Sequence, residues 1–314
     1  MAEILLSEGK IKGYCMKFIG IDGGGTKTRF TLFNEELKEI DSYVLPTCHF
    51  AQVGYEEMGA RLQQGIHQLI HNHKVKEYGI GFGLAGYGQE AETRKQIEQV
   101  VARVSSNHPY QLVNDVESAI AGALALQDGI MMIAGTGSIA FGVRGETRMR
   151  CGGWGYQIGD EGSAYWLGKQ VLALYSKQVD GRLERSVLYD MVKEACHLQQ
   201  EADIISYVRD TLKFDRSKIA ALARIAYDAA MQQDLQALAL YETAAKELAL
   251  CIQTIERQMF HGEDVNVSFV GGVFQAGELL LTPLQRELST NCHLIEPIYG
   301  PDAGACLLLK QKLS

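Results

Sequence analysis

Proline is scarce, five in 314 residues, so little of the chain can be an extended proline-rich linker. No apolar run approaches the roughly 20 residues that span a bilayer. The one apolar cluster near the start, Ile4-Leu5-Leu6, is flanked by Glu3 and Glu8 and is too short for a secretory signal. Positive charge is in deficit: 30 Lys and Arg against 38 Asp and Glu give a net charge of −8. That balance argues against nucleic acid or an anionic membrane as the main partner, and leaves room for a local basic phosphate site. The seven cysteines (Cys15, Cys48, Cys151, Cys196, Cys251, Cys292, Cys306) are odd in number, scattered, and never spaced C-x-x-C. A disulfide framework and a zinc ribbon are thereby disfavoured, and reduced thiols in a cytoplasm are expected. His71 and His73 sit close together but have no acid or thiol near them in sequence, so no metal site is expected there.

What remains is an ordinary globular composition, 46% hydrophobic and 22% charged, with 33 glycines. The length suits one large or two medium domains. Residues 1–15 read as an extension, with Met16 placed to be a natural start. A first domain is expected over 16–128, a second with a helical insertion over 129–298, and a last helix over 299–314 returning to the first.

The most organised stretch is Lys17 to Phe33, KFIGIDGGGTKTRFTLF. An apolar strand ends on Asp22, three glycines follow, and Thr26-Lys27-Thr28 leads into a second alternating strand. Glycines at such a turn let the backbone approach a ligand closely. Backbone N–H groups, two hydroxyls and Lys27 suit phosphate oxygens, and Asp22 suits Mg²⁺. The plain alternative is a hairpin with a glycine turn. A Rossmann fingerprint would open a helix instead of a strand, and no Gly-Lys-Ser/Thr closes a Walker loop.

Strands then alternate with helices: helical spacing over Gly54 to Asn72, a buried strand Tyr78 to Leu84, a polar helix Ala91 to Val104, a short strand ending at Asn114-Asp115, and a helix from Glu117. The outline repeats. A buried strand Gly129 to Ala134 meets a second turn, Gly135-Thr136-Gly137-Ser138, and two further strands. The dense stretch CGGWGYQIGDEGSAYWLG, Cys151 to Gly168, reads as a close-packed loop entering a helix capped near Asp160-Glu161. Ala164 to Phe260 reads almost wholly as helix with a break at Lys213-Phe214-Asp215. A strand Val265 to Val270 ends at Gly271-Gly272, a helix is expected from Gln275 to Leu288 and a short strand near Leu294-Ile295, and the last helix covers Asp302 to Lys312. An α/β fold with mixed sheets follows from this alternation.

Together these segments resemble the BadF/BadG/BcrA/BcrD ATPase family, in its N-acetylglucosamine kinase branch, from about Ile19 to Leu308. The specific pieces are Gly152-Gly153-Trp154-Gly155 and Gly159-Asp160-Glu161-Gly162-Ser163-Ala164-Tyr165-Trp166. The resemblance implies two actin-like (ribonuclease H-like) ATPase domains with nucleotide and sugar in the cleft between them. It implies ATP and Mg²⁺ as cofactors, an amino sugar as substrate, and a homodimer. Asp22, Gly24, Gly25, Thr26 and Lys27 then match a first phosphate loop, and Gly135, Thr136, Gly137 and Ser138 a second. Gly271 and Gly272 match a turn under the adenosine, and Ala229 an adenine contact. Asp115 matches the carboxylate against the reactive hydroxyl. Gly153, Trp154, Gly155 and Asp160 match sugar contacts. Cys48 stands beside His49 where the branch has Asn, and Ala85-Gly86-Tyr87-Gly88 replaces a Ser-Gly-Gly-Asp, so this side of the sugar pocket is less polar.

From the residues alone, Asp115 is either a general base or the N-cap of the following helix. Trp154 either stacks on a sugar face or packs in a core. The expected activity is transfer of phosphate from ATP to the 6-hydroxyl of N-acetylglucosamine or N-acetylmuramic acid. The alternatives are a glucosamine kinase, an iron–sulfur activator ATPase with Cys151 as its candidate ligand, and a sugar-sensing regulator. For the last, 15 residues before the first strand hold no helix-turn-helix.

Overall fold

The structure, a computed structural model, describes residues 16–88 and 90–314; the expected extension at 1–15 lies outside them. The chain separates into two compact units. One ends at Leu126 and takes in Ile298–Ser314; the other is Gln127–Pro297.

The first unit is built on β1 (Lys17–Gly23), β2 (Lys27–Phe33), β3 (Glu39–Pro46), β4 (Tyr78–Leu84) and β5 (Tyr110–Asn114), in the order β3-β2-β1-β4-β5. The first three strands are antiparallel; β4 and β5 join parallel to β1 through helical crossovers. Those crossovers are α1 (Phe50–His73) and α2 (Ala91–Ser105). Their apolar stripes, Met58, Leu62, Ile66 and Leu69 on α1 and Ile97, Val100 and Val101 on α2, pack on Ile19, Ile21, Phe30, Ile80 and Phe82. After β5 comes α3 (Asp115–Ala123). The opposite sheet face takes the C-terminal helix Pro301–Leu313. That face explains the glycine at every second position of YGIGFGL. A Cβ on Gly81 would lie 2.4 Å from the Ala305 carbonyl carbon, and one on Gly20 would lie 2.2 Å from the Asp302 carbonyl oxygen. Helix and sheet therefore meet backbone to backbone.

The second unit repeats this path. It holds β6 (Gly129–Ala134), β7 (Ser138–Arg144), β8 (Thr147–Gly152), β9 (Val265–Val270) and β10 (Cys292–Ile295), ordered β10-β9-β6-β7-β8. An antiparallel β6-β7-β8 meander carries two parallel strands on its other side, as β1-β2-β3 does in the first unit. Between β8 and β9 run α4 (Ala164–Val179), α5 (Val187–Ala195), α6 (Asp203–Ser206), α7 (Arg216–Ala221), α8 (Ala223–Met231) and α9 (Leu235–Ile255). The long faces Leu240, Ala244, Leu248 and Ile252 of α9 and Leu167, Val171 and Tyr175 of α4 fill the core. Then come α10 (Glu278–Glu287) and the C-terminal helix, here α11.

Three boundaries differ from expectation. Helix α4 starts at Ala164, with the Ser163 hydroxyl accepting from Trp166 N at 3.2 Å, and not at Asp160-Glu161. Asp160 (φ 62°) and Gly162 (φ 74°) are left-handed and cannot sit in a right-handed helical turn. Helix α3 starts at Asp115, two residues early. The helix expected from Gln275 to Leu288 is present as α10 but starts at Glu278, after a short 3₁₀ turn over Gly272–Ala276. The break at 213–215 is present: Lys213 and Phe214 are both left-handed and Asp215 caps α7. Among the described residues no helix is long and apolar enough to cross a membrane.

Candidate active site

Each unit carries its own group of candidate residues, at the strand ends where strands turn. In the first unit, Asp22 is the next-to-last residue of β1, in register with Gly83 of β4 and Arg29 of β2. Burial pushes its carboxyl up to about 6, and Asp302 and Asp115 push the same way against Lys27 and Arg29. Asp302 and Asp115 thus add to what burial does at Asp22. Asp302, at the start of α11, accepts from the buried Thr31 hydroxyl and lies 3.3 Å from Arg29 Nε. The turn Gly24-Gly25-Thr26 follows, closed by Gly24 N donating to Lys27 O at 3.1 Å. Thr26 and Lys27 are exposed.

Asp115 opens α3 directly after β5. Burial raises its carboxyl above the ordinary value, partly offset by backbone N–H groups and by His49. The cap of α3 is Asn114, whose Oδ1 accepts from Val116 N at 2.9 Å while its Nδ2 donates to Tyr87 O at 2.9 Å. The capping role that could have explained Asp115 is therefore filled by its neighbour. His49 accepts from Ala51 N through Nδ1, which leaves the proton of a neutral ring on Nε2. Cys48 is 1% exposed, its sulfur packed against Gly23, and burial raises its thiol. Its side chain lines the first glycine turn from behind.

In the second unit the turn Gly135-Thr136-Gly137 joins β6 to β7. A Cβ on Gly271 would lie 2.2 Å from Ala134 O, so the Gly271-Gly272 turn after β9 lies against it. Asp160 is 3% exposed and pairs with Arg216 Nη2 at 2.8 Å. A Cβ on Gly137 would lie 2.1 Å from Arg216 Nη2 and 2.6 Å from Asp160 Oδ2. This ion pair rests on the second turn, and glycine is needed beneath it. Trp154 is 66% exposed with Arg150 over its ring at 4.6 Å, so it is not a core residue. Gly153 (φ 70°) and Gly155 (φ 92°) flank it in left-handed conformations. A cavity of about 380 Å³ opens beside Gly272, walled by Ala164, Ala220, Arg224, Tyr227 and Tyr241. Ala229 is fully buried and its side chain packs in the core instead of lining this cavity.

The profile of the BadF/BadG/BcrA/BcrD ATPase family matches residues 19–308. The chain belongs to that family. It is 30% identical over 282 residues to an N-acetylmuramic acid/N-acetylglucosamine kinase of Clostridium acetobutylicum, covering 88% of this chain and 92% of that protein. It is 27% identical over 308 residues to an N-acetyl-D-glucosamine kinase of Dictyostelium discoideum, covering 93% and 97%. Among solved structures, a ROK hexokinase from Thermus thermophilus superimposes with a TM-score of 0.61 at 16% identity, covering 95% of this chain and all of that one. That likeness carries the actin-like sugar-kinase fold.

Residues that sequence reasoning passed over stand beside these. Thr47, Gln52 and Arg61 bond the loops of the first unit, and Arg216 holds Asp160. Arg216 sits one residue past the expected break at 213–215, in a segment read only as helix. It stands among Lys213, Asp215 and Lys218, so its charge does not set it apart in the sequence.

Proposed function

We propose that the chain transfers the terminal phosphoryl group of ATP to the 6-hydroxyl of N-acetylglucosamine or N-acetylmuramic acid. It is a phosphotransferase with an alcohol acceptor. The observation that carries the assignment of roles is Asp115: a desolvated carboxylate at a strand end, relieved of capping by Asn114. In the reaction Asp115 takes the proton of the attacking hydroxyl as the phosphoryl group transfers, and ADP leaves. A carboxyl raised by burial is better matched to that proton than an exposed one. The two glycine turns donate backbone N–H groups to phosphate oxygens. Asp160, Trp154 and the Gly153 and Gly155 backbone hold the sugar. The cavity beside Gly272 takes the adenosine, and Tyr227 and Arg224 form its wall in place of Ala229.

The region around Asp22 fits a divalent cation, because burial, then the charges of Asp302 and Asp115, leave its carboxylate in want of positive charge. Among the described residues no three His, Cys, Asp or Glu side chains form a complete metal cage. That suits Mg²⁺, which keeps waters and takes one or two carboxylates together with phosphates. Asp22 would hold it, directly or through water, and the ion would supply charge neutralisation at the phosphates. A homodimer in a reducing cytoplasm completes the reading; the six described cysteines are all free thiols.

An ADP-release assay across N-acetylglucosamine, N-acetylmuramic acid, glucosamine and glucose tests it. Both N-acetylated sugars are expected to be turned over faster than glucosamine. Release with no amino sugar would overturn the assignment.

Arg216→Gln tests the sugar side. It leaves Asp160 buried without its cation, a strongly destabilising arrangement. The KM for sugar is expected to rise about 10-fold, the scale of one charged hydrogen bond. Steady-state kinetics with each substrate varied will tell, and an unchanged sugar KM would remove Asp160 from the sugar site.

A further inference from the structure

The turn Gly24-Gly25-Thr26 contains no side chain that fixes its peptide planes. Two residues of another segment do so. The Thr47 hydroxyl donates to Gly24 O at 2.7 Å, and Gln52 Nε2 donates to Gly25 O at 2.7 Å. Thr47 is itself held, its hydroxyl accepting from His49 N at 3.0 Å and its carbonyl from Arg61 Nη1 at 2.6 Å. In a trans peptide the C=O and the following N–H point in opposite directions. Tying the carbonyls of Gly24 and Gly25 toward α1 therefore aims the N–H groups of Gly25 and Thr26 away from it. No described residue accepts a hydrogen bond from those two N–H groups.

The second unit repeats the device with other chemistry. Gly135 is the first residue after β6, as Gly24 is the first after β1. Gly135 O accepts from Ala164 N at 2.8 Å, and Thr136 O from Tyr165 N at 3.4 Å. The same two positions of the turn have their carbonyls tied, here by the first backbone amides of α4. The N–H groups of Thr136 and Gly137 are aimed outward in the same way. Two turns of unlike sequence thus share one arrangement, kept by backbone in one and by side chains in the other. Adjacent outward N–H groups form a concavity for an anion.

We infer that Thr47 and Gln52 are positioning residues that hold the Gly25 and Thr26 amides ready for the β-phosphate of the nucleotide. This rests on the kinase reading above. Neither residue touches the nucleotide; each acts through a carbonyl. The loss of either bond leaves its peptide plane free to rotate, so the amide pair must be ordered at each binding event. Contacts to the nucleoside are untouched. The signature is a selective loss for ligands that carry the β-phosphate.

The test compares Kd for ADP and for adenosine, both with Mg²⁺, by calorimetry on the full-length protein. Gln52→Ala changes an exposed side chain and is expected to fold normally. It should weaken ADP about 10-fold while leaving adenosine within about 2-fold. Thr47→Val should do the same, and Thr47→Ser, which keeps the hydroxyl, should restore the wild-type ratio. A merely structural role would weaken both ligands alike and would not be rescued by serine. Unchanged ADP-to-adenosine ratios in Gln52→Ala and Thr47→Val, with a wild type that phosphorylates sugar, would overturn the inference and leave the kinase reading standing. A wild type that binds ADP no better than adenosine and phosphorylates no sugar would overturn both.

Discussion

The Asp115→Asn protein is expected to fold and bind sugar normally while its turnover falls at least about 10²-fold, the scale of losing a general base. The substitution is nearly isosteric, and the helix it opens keeps its cap. Asn114 Oδ1 accepts from Val116 N and caps the helix, so α3 has no reason to fray. What is lost is a carboxylate whose proton affinity burial has already raised. A base works only when deprotonated. In the wild type, kcat/KM should therefore rise with pH through a limb lying above the ordinary carboxylate range, and the variant should lack that limb. Rates measured between pH 4 and 8 on a variant with a native circular dichroism spectrum will decide it. Turnover close to wild type would end the assignment of Asp115 as base.

The places of both glycine turns, Asp22 and Asp115 at strand ends were legible because apolar patterning marks those strands clearly. The α/β alternation was legible for the same reason, down to the buried strand of YGIGFGL. The supporting shell was not, because its contacts run far along the chain. Thr31 and Asp302 meet across 271 positions, and Asp160 and Arg216 across 56. No spacing rule reaches that distance. The misplaced start of α4 has a local cause. Acids before a helix suggest a first turn, but Asp160 occupies a left-handed backbone that only the fold around the second glycine turn imposes. Cys48 and Ala229 were read as contacts by correspondence, and their burial appears only once α1 and α8 are packed. Trp154 shows the converse, a large apolar ring left at the surface where composition alone permitted a core.

At Asp22 the same physics predicts opposite changes in activity and stability. Its carboxyl is pushed from 3.8 up to about 6, first by burial and then by Asp302 and Asp115. The native state therefore holds this proton more tightly than the unfolded chain does. Stability of the ligand-free protein falls as pH rises from about 4 to 6 and stays lower above that range. The span corresponds to a cost on the order of 3 kcal/mol at neutral pH. Asp22→Asn keeps the shape and removes the charge. Without added ligand it should melt several degrees above wild type at pH 7.5, and the two should converge near pH 4. Turnover should fall by about 10³-fold, since a cation at the phosphates is worth several kcal/mol in the transition state. Mg²⁺ with ADP should raise the melting temperature of the wild type far more than that of the variant. Scanning calorimetry at the two pH values, beside the ADP-release assay, reads all of these. Turnover within about 10-fold of wild type would remove Asp22 from the cation site. A ligand-free variant that melts below wild type at pH 7.5 would show that the buried charge is compensated, and that Asp22 is not held there against its own stability.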